Sequence, residues 1–381
     1  MSIDQFIPTV GGVSDPPAGK HRSLRWLTSV KLTPREVLTA VAVLLGIVLL
    51  LLIAYLLFLL SRGSTLITRG GQAKAGIEPL FVISGPGTGP NPRFSRPMGS
   101  AFGSDGRIYV SDTGNNRVCV FDSAGKFLFE WGGFGVAKPL PGAKDTWAPG
   151  KLNYPVGIDV DEDGVVYVAD FRNDQVQAFS SQGRFLRAFP DNHKSTGKGS
   201  SGQDGQGIAV TDVTARGKRV YATDTYQIFV FDRDGKLLRQ FGKPGTGPTD
   251  LDHPNGVATD DKGGLYVSDS NHARVIAFGS DLRRRWTVGA IPRGMNDTTS
   301  SPVMLPRGIA AGDDGSVYVV DSFAFDIIEI SKAGKIAARY GERGVDPGQM
   351  NFANDVDVRG DRLVIADKEN NRVQVVRLTH K

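Results

Sequence analysis

The chain has 381 residues and a formal net charge of +5, with 48 glycines and one cysteine. Abundant glycine beside aromatic and β-branched residues favours many short strands joined by tight turns. The single Cys119 excludes an intramolecular disulfide, and the near balance of charges after residue 63 gives little support to nucleic-acid binding.

The N-terminal part predicts a membrane anchor. Residues 1–36 contain Pro and Gly with little apolar periodicity, which predicts a disordered cytoplasmic tail. Residues 37–60 carry no charge and exceed the roughly 20 apolar residues that span a bilayer core. No small-residue cleavage site follows, so we expect an uncleaved transmembrane signal anchor. Positive charge is more frequent before this segment than after it, which orients the N terminus to the cytoplasm. Residues 61–77 are a predicted tether.

A short apolar run that ends in aspartate repeats through the rest of the chain. It occurs six times at intervals of 45 to 58 residues, a range that suits four-stranded propeller blades. A Gly-led strand precedes each run and further strand-like runs follow it, which predicts one antiparallel sheet per unit. The terminal residues of the six runs are Asp112, Asp170, Asp224, Asp269, Asp321 and Asp367.

The sixth unit stops after its third strand, near Leu378. A donor for the missing strand lies near the start of the repeat region, because Leu80–Gly87 reads like Leu237–Gly245. We therefore predict that residues 78–378 form an all-β six-bladed propeller whose N-terminal strand closes the last blade, preceded by a single transmembrane helix. This closure removes the open sheet edges of an unclosed ring.

The units resemble the NHL repeat, and the resemblance implies a six-bladed NHL-type β-propeller. Such a resemblance is specific for the fold and weak for the function. It rests on Pro155–Gly157 with Tyr167–Asp170, on Pro254–Gly256 with Asp269–Val275, and on Asp112–Val118.

Two units depart from this pattern, and three insertions interrupt it. Residues 205–207 lack the proline, and residues 353–355 read Ala-Asn-Asp, so the register is least defined in blades three and six. Residues 136–148, 190–204 and 287–303 are rich in Gly, Pro, Ser and Lys, which predicts long loops over one face.

The six repeated aspartates are predicted to be structural. Catalysis needs one asymmetric site rather than six equivalent ones, so we expect these residues to cap backbone donors. Function is expected where the repeat varies, before each Gly-led strand and after each Asp, because these positions meet around the channel mouth. A solvated mouth with ordinary loop residues is the alternative interpretation. The predicted ligand- or partner-binding residues are Phe171, Arg172, Tyr226, Asn255, His272, Arg307 and Phe323.

An extracytoplasmic metal-dependent lyase or hydrolase is the alternative function. Peptide-amidating lyases resemble this fold and use a histidine-ligated zinc, which needs about three converging ligands. None of the five histidines directly precedes a Gly-led inner strand, and His253 and His272 occur where NHL repeats often carry histidine. We therefore predict no metal site and no cofactor, although calcium held by carbonyl and Asp oxygens is compatible with the sequence.

The preferred hypothesis is a binding scaffold. The chain has no Gly-rich phosphate loop, serine nucleophile elbow or Cys/His zinc cluster. We expect a single-pass cell-membrane protein with a cytoplasmic N terminus and an extracytoplasmic propeller. Its channel mouth and loops would bind a protein, a peptide or an envelope glycan, and no nucleic acid. A structural envelope protein that self-associates through blade edges is a third hypothesis.

Overall fold

The computed structural model describes residues 33–65, 76–137, 148–190, 209–291 and 301–379. The chain divides into two compact units, Met1–Arg69 and Gly70–Lys381. The predicted tail up to residue 32, most of the predicted tether and most of the three insertions lie outside the described residues.

The first unit contains one described helix, α1 (Pro34–Thr65). Pro34 suits the first helical position, and the leucines and alanines that follow are good helix formers. The helix extends beyond the predicted 37–60 at both ends. In the described part of the chain, no helix is long and apolar enough to cross a membrane. The transmembrane span stays a prediction.

The second unit is a six-bladed β-propeller, which confirms the predicted all-β architecture. Each blade is a four-stranded antiparallel sheet. The strands of blades 1 to 3 are β2 (Gly99–Phe102), β3 (Ile108–Asp112), β4 (Arg117–Phe121), β5 (Phe127–Gly132), β6 (Pro155–Val160), β7 (Val166–Asp170), β8 (Gln175–Phe179), β9 (Phe185–Phe189), β10 (Asp212–Arg216), β11 (Arg219–Thr223), β12 (Ile228–Asp232) and β13 (Leu237–Phe241). The strands of blades 4 to 6 are β14 (Pro254–Thr259), β15 (Leu265–Asp269), β16 (Arg274–Phe278), β17 (Arg284–Gly289), β18 (Pro306–Ala311), β19 (Val317–Asp321), β20 (Asp326–Ile330), β21 (Ile336–Tyr340), β22 (Asp355–Arg359), β23 (Arg362–Asp367), β24 (Arg372–Thr379) and β1 (Gly76–Ile83).

Blade 6 is built from both ends of the propeller. Its strand order is β1-β24-β23-β22, so the N-terminal strand completes the last blade, as the sequence predicts. β1 pairs antiparallel with β24, from Gly76 opposite Thr379 to Ile83 opposite Val373. Ile83 and Phe81 pack into the apolar cluster between blades 6 and 1. Packing and strand pairing therefore both close the ring.

The hydrophobic core lies between the blades. Six apolar clusters fill the described propeller, and each joins two neighbouring blades. In blade 1, the second and third strands, β3 and β4, are buried along their whole length. Strands covered on both faces read as continuous apolar runs. The outer strand β5 instead alternates between half-buried and exposed residues, because one of its faces meets solvent.

Close packing of the inner strands explains the glycine that leads several of them. A Cβ atom on Gly99 would lie 2.2 Å from the carbonyl oxygen of Val156. A Cβ atom on Gly256 would lie 2.2 Å from the carbonyl oxygen of Arg307. At these two positions, only glycine allows the neighbouring inner strands to approach this closely.

Blades 3 and 6 use aspartate at this glycine position. Asp212 and Asp355 pair opposite the residue before the terminal aspartate, as Gly256 does in blade 4. The sequence pattern places the inner strand of blade 3 at Gly207, so this expected register is wrong, since β10 begins at Asp212. The missing glycine removed the landmark on which the expectation depended.

Candidate functional site

The ends of the second strands define one face of the propeller, here called the Asp face. An oxygen of Asp269 accepts the backbone N–H of Asp252 at 2.8 Å. Its second oxygen accepts Nε of Arg274 at 2.8 Å and lies 2.8 Å from Nδ1 of His272. The carboxylate thus joins the loop before the inner strand to the third strand. Equivalent backbone N–H groups donate to Asp112, Asp170, Asp321 and Asp367.

Asp224 differs from the other repeated aspartates. Its carboxylate accepts the backbone N–H groups of Tyr226 and Gln227, each at 2.9 Å, within its own short turn. It therefore shapes one turn and does not join two loops.

Burial dominates the electrostatics of Asp170. It raises the pKa of Asp170 to about 6. The backbone N–H of Asn153 and the side chains of Asn173 and Gln177, each donating at 2.7 Å, oppose that increase. These contacts are all made within the frame of blade 2, which is the arrangement of a structural residue.

Three of the predicted binding residues lie at the mouth of blades 2 and 3. The guanidinium carbon of Arg172 lies 4.7 Å from the ring centroid of Tyr154. The same ring contacts Phe171, with 6.1 Å between the centroids. Tyr226 is 37% exposed, and its ring centroid lies 6.0 Å from that of His253. These aromatic contacts form a surface on the Asp face.

Two more predicted residues contact the frame of blade 4. Nδ2 of Asn255 donates to Oγ of Ser270 at 2.9 Å. His272 is buried beside Asp269. The ring of His272 is therefore not presented at the surface of the mouth.

The last two predicted residues, Arg307 and Phe323, come together in one pocket. It lies on the Asp face between blades 5 and 6 and has a volume of about 590 Å³. We call it the blade 5–6 pocket. Cavities of this size hold small ligands or a few residues of a partner. The remaining lining residues are Leu305, Ser322, Arg343, Asn351, Phe352, Lys368 and Glu369.

Arg307 brings an uncompensated charge to this pocket. Its side chain is half-buried at the start of β18. Burial lowers the pKa of the guanidinium, and no acceptor in the described part of the propeller opposes that change. Burial of a charged group is unfavourable unless an opposite charge or hydrogen-bond acceptor meets it. The site is thus arranged to receive an anion.

Arg343 and Phe352 are among the pocket residues that the sequence did not predict. The guanidinium carbon of Arg343 lies 5.0 Å from the ring centroid of Phe325. The ring centroid of Phe352 lies 5.0 Å from that of Phe325 and 6.0 Å from that of Phe323. Phe352 takes the position that His253 takes in blade 4, so the repeat carried a signal for it. Arg343 lies in a connection between blades, where the repeat has no fixed position.

Four channel aspartates were also missed, and they tie together the inner strands at three of the blade junctions. Asp212 accepts the backbone N–H of Val257 at 2.8 Å, and Asp355 accepts that of Ser100 at 2.9 Å. Each bond crosses from one blade to the next. The same arrangement joins Asp159 to Ala215 and Asp357 to Phe102.

In the described ranges, no group of three or more His, Cys, Asp or Glu side chains could hold a metal ion. Cys119 is buried, and burial raises the pKa of its thiol. His21, His193 and His380 lie outside the described residues. The calcium site and the enzymatic alternative stay predictions.

Comparison with known proteins agrees with this frame. The model of the NHL repeat matches residues 94–121, 152–179 and 251–278, which belong to blades 1, 2 and 4. The chain carries NHL repeats. Each matched segment begins before an inner strand and ends with a third strand, so it includes the aspartate that joins the two.

Curated relatives share part of the propeller. Protein brain tumor of Drosophila melanogaster is 31% identical over 134 residues, 34% of this chain and 12% of the relative. B-box type zinc finger protein ncl-1 of Caenorhabditis elegans is 30% identical over 132 residues, 34% of this chain and 14% of the relative. The chain thus spans a small part of the length of these relatives.

Solved structures share the fold at low identity. A structural genomics protein of unknown function from Bacteroides thetaiotaomicron has a TM-score of 0.54 and 15% identity, over 81% of this chain and 75% of that one. A gluconolactonase from Xanthomonas campestris has a TM-score of 0.51 and 17% identity, over 75% and 87%. A streptogramin B lyase has a TM-score of 0.50 and 14% identity, over 82% and 100%. At these identities, the similarity concerns the fold alone.

Proposed function

We propose that this protein is a membrane-tethered binding scaffold whose Asp face engages a protein, a peptide or an envelope glycan outside the cytoplasm. One observation carries the binding part of the proposal. Arg307, which has no acceptor in the described propeller, and Phe323, which is 52% exposed, line the same pocket. Exposed aromatic residues and arginines are the side chains that most often dominate binding energy at protein interfaces.

The tether part of the proposal is supported by the sequence of α1. Residues 37–60 are uncharged, and the large apolar side chains described between Val41 and Ile53 are 45–68% exposed. Exposed apolar surface of this kind marks a site that another apolar surface covers, and the hydrocarbon core of a lipid bilayer would supply that cover. The greater positive charge before the helix favours a cytoplasmic N terminus.

Site-specific photo-cross-linking in the producing cells tests this function. A benzoylphenylalanine in place of Phe323 is compared with one in place of Leu238, on the outer strand of blade 3. The two native side chains are 52% and 51% exposed, which makes the positions matched controls. We expect a discrete adduct from position 323 only, recovered from membranes that were washed with alkaline carbonate and identified by mass spectrometry.

A second variant adds specificity to this test. Combining the cross-linker at position 323 with Arg307→Ala should remove most of the adduct, because the guanidinium no longer meets the partner. Equal adducts at positions 323 and 238, or no adduct at 323, would contradict binding through this pocket. Release of the full-length protein by the alkaline wash would contradict the tether.

A further inference from the structure

The charges around the blade 5–6 pocket are not balanced within the protein. Nζ of Lys368 lies 3.1 Å from Oε1 of Glu369, and that oxygen also lies 3.5 Å from a guanidinium nitrogen of Arg96. Glu369 therefore already interacts with two cationic side chains, those of Lys368 and Arg96. Neither Arg307 nor Arg343 has a carboxylate partner among the described residues. Two guanidinium groups remain for an external anion.

Next to the aromatic lining of the pocket, one polar residue of the repeat is replaced by a phenylalanine. Before the third strand, Asn116 accepts the backbone N–H of Tyr154 in the next blade at 2.8 Å. Asn371 accepts the backbone N–H of Arg96 in the same way, also at 2.8 Å. Phe325 stands at this position in blade 5 and has no side-chain acceptor to offer. The junction between blades 5 and 6 therefore lacks the hydrogen bond that Asn116 and Asn371 accept at their junctions.

Phe325 also adopts a backbone conformation that suits short polar residues better. Its φ is +59°, and Asn116 and Asn371 have φ values of +54° and +51°. Asparagine is enriched in the left-handed region, whereas a bulky residue is uncommon there; in this chain Tyr154 and Phe352 adopt it as well. The junction instead contains an aromatic contact, in which the ring centroids of Phe325 and Phe352 lie 5.0 Å apart.

The two halves of the pocket define the chemistry of a ligand. A planar guanidinium matches a carboxylate or a phosphate. Ser322, Asn351 and Lys368 add donors to the lining, which suit either anion, but Glu369 repels the second charge of a phosphate. The apolar side chains of Leu305, Phe323 and Phe352 offer a phosphate no donor. This mixture fits one carboxylate on an apolar body better than a phosphate. A volume of about 590 Å³ admits the last residues of a peptide.

Resting on the proposed binding function, we infer that the blade 5–6 pocket binds a carboxylate carried on an aromatic or large aliphatic group, as at the C terminus of a peptide. Arg307 and Arg343 receive the carboxylate. Phe323, Phe352 and Leu305 contact the apolar side chain. The N-terminal part of such a peptide then extends over the Asp face.

Isothermal titration calorimetry of the purified full-length protein tests this inference. The probes are the peptide acetyl-Gly-Ser-Gly-Phe with a free carboxylate, its C-terminal amide, and the same acid ending in glycine. We expect the amide and the glycine-ended peptide each to bind about tenfold more weakly, since each lacks one of the two groups that the pocket recognises. Equal binding of the acid and its amide would overturn the inference.

Variants assign the binding to the pocket. Arg307→Met and, separately, Arg343→Met should each weaken the acid about tenfold, a typical loss for a charge-assisted contact. Arg239→Met, the same change on the exposed outer strand β13, should leave the affinity unchanged. Affinity that is unchanged in both pocket variants, or reduced equally in Arg239→Met, would contradict the assignment.

Two further probes identify the source of the carboxylate. N-acetylphenylalanine that binds as tightly as the peptide would support the pocket chemistry and assign it to a small free acid. Phenyl phosphate that binds more tightly than either would overturn the carboxylate assignment. If no acid binds while the cross-linker at position 323 still captures a partner, this inference fails and the proposed function stands. Loss of the cross-link as well would remove both.

Discussion

Single residues of the frame differ in how many elements they hold together. Asp269 joins a preceding loop to Arg274 in the third strand, whereas Asp224 bonds to two amides of its own turn. Removal of one partner of a buried ion pair leaves an uncompensated charge, and Arg274 is buried. The same residue type at one repeat position should therefore contribute very different amounts to stability.

We expect Asp269→Ala to lower the free energy of unfolding by about 3–5 kcal/mol, the usual loss when a buried pair is broken. Asp224→Ala should lower it by about 1 kcal/mol, since it loses two local hydrogen bonds in a partly buried turn. Urea denaturation of the two full-length variants and the wild type measures both values. Similar losses in the two variants would show that the cross-element bonds of Asp269 add little.

At the scale of elements, β1 determines whether the ring is closed. Glu78 in β1 and Arg377 in β24 are register partners, and their exposed side chains form a 2.9 Å ion pair. Register partners in an antiparallel pair have Cα atoms about 4.5–5.5 Å apart, which suits a disulfide. Cys119 is buried and does not compete for the new cysteines.

The double variant Glu78→Cys/Arg377→Cys should therefore form a disulfide that locks the closure. We expect the oxidised form to be about 2–4 kcal/mol more stable than the reduced form, because the crosslink constrains almost the whole unfolded propeller. Arg216→Cys/Arg219→Cys, across the tight turn from β10 to β11, is the control, and its short loop should gain less. No gain from the first pair would contradict a stabilising role for β1.

The sequence predicted those elements that repeat, and the closure followed from an incomplete last unit. Arg307 and Phe323 were predictable because they occupy variable positions of a regular frame. Arg343 was not, since it lies in a connection that has no counterpart at fixed spacing. The channel aspartates were missed for a different reason. Asp212 stands where a glycine was expected, and its interaction with the neighbouring blade depends on ring closure, which no local pattern contains.

The whole molecule brings these aspartates together in one channel. Burial and the charge of Asp212 raise the pKa of Asp355, and burial also raises that of Asp212. Burial in the channel and the negative charge of Asp159 raise the pKa of Asp357 to about 7. Backbone N–H groups donate to all of these carboxylates, but the donors do not offset the loss of water. Each group thus holds its proton more tightly in the folded than in the unfolded chain.

This difference predicts that the propeller loses stability as the pH rises. Between pH 4 and about 7 the folded state binds more protons than the unfolded state, so the free energy of unfolding decreases with pH in this window. Each unit of pKa difference corresponds to about 1.4 kcal/mol. Urea denaturation of the full-length protein at several pH values from 4.5 to 8.5 should therefore give midpoints that fall towards high pH.

Asp212→Asn isolates the contribution of one channel group. The amide keeps a carbonyl oxygen for the N–H of Val257 but cannot ionise, so we expect a smaller fall in stability with pH and a higher midpoint at pH 8. Asp313→Asn, at an exposed position on a turn of blade 5, is the matched control and should retain the slope of the wild type. A wild-type stability that stays constant or rises from pH 4.5 to 7.5 would mean that the channel aspartates ionise as they do in water. The same slope in Asp212→Asn as in the wild type would assign the pH dependence to other groups.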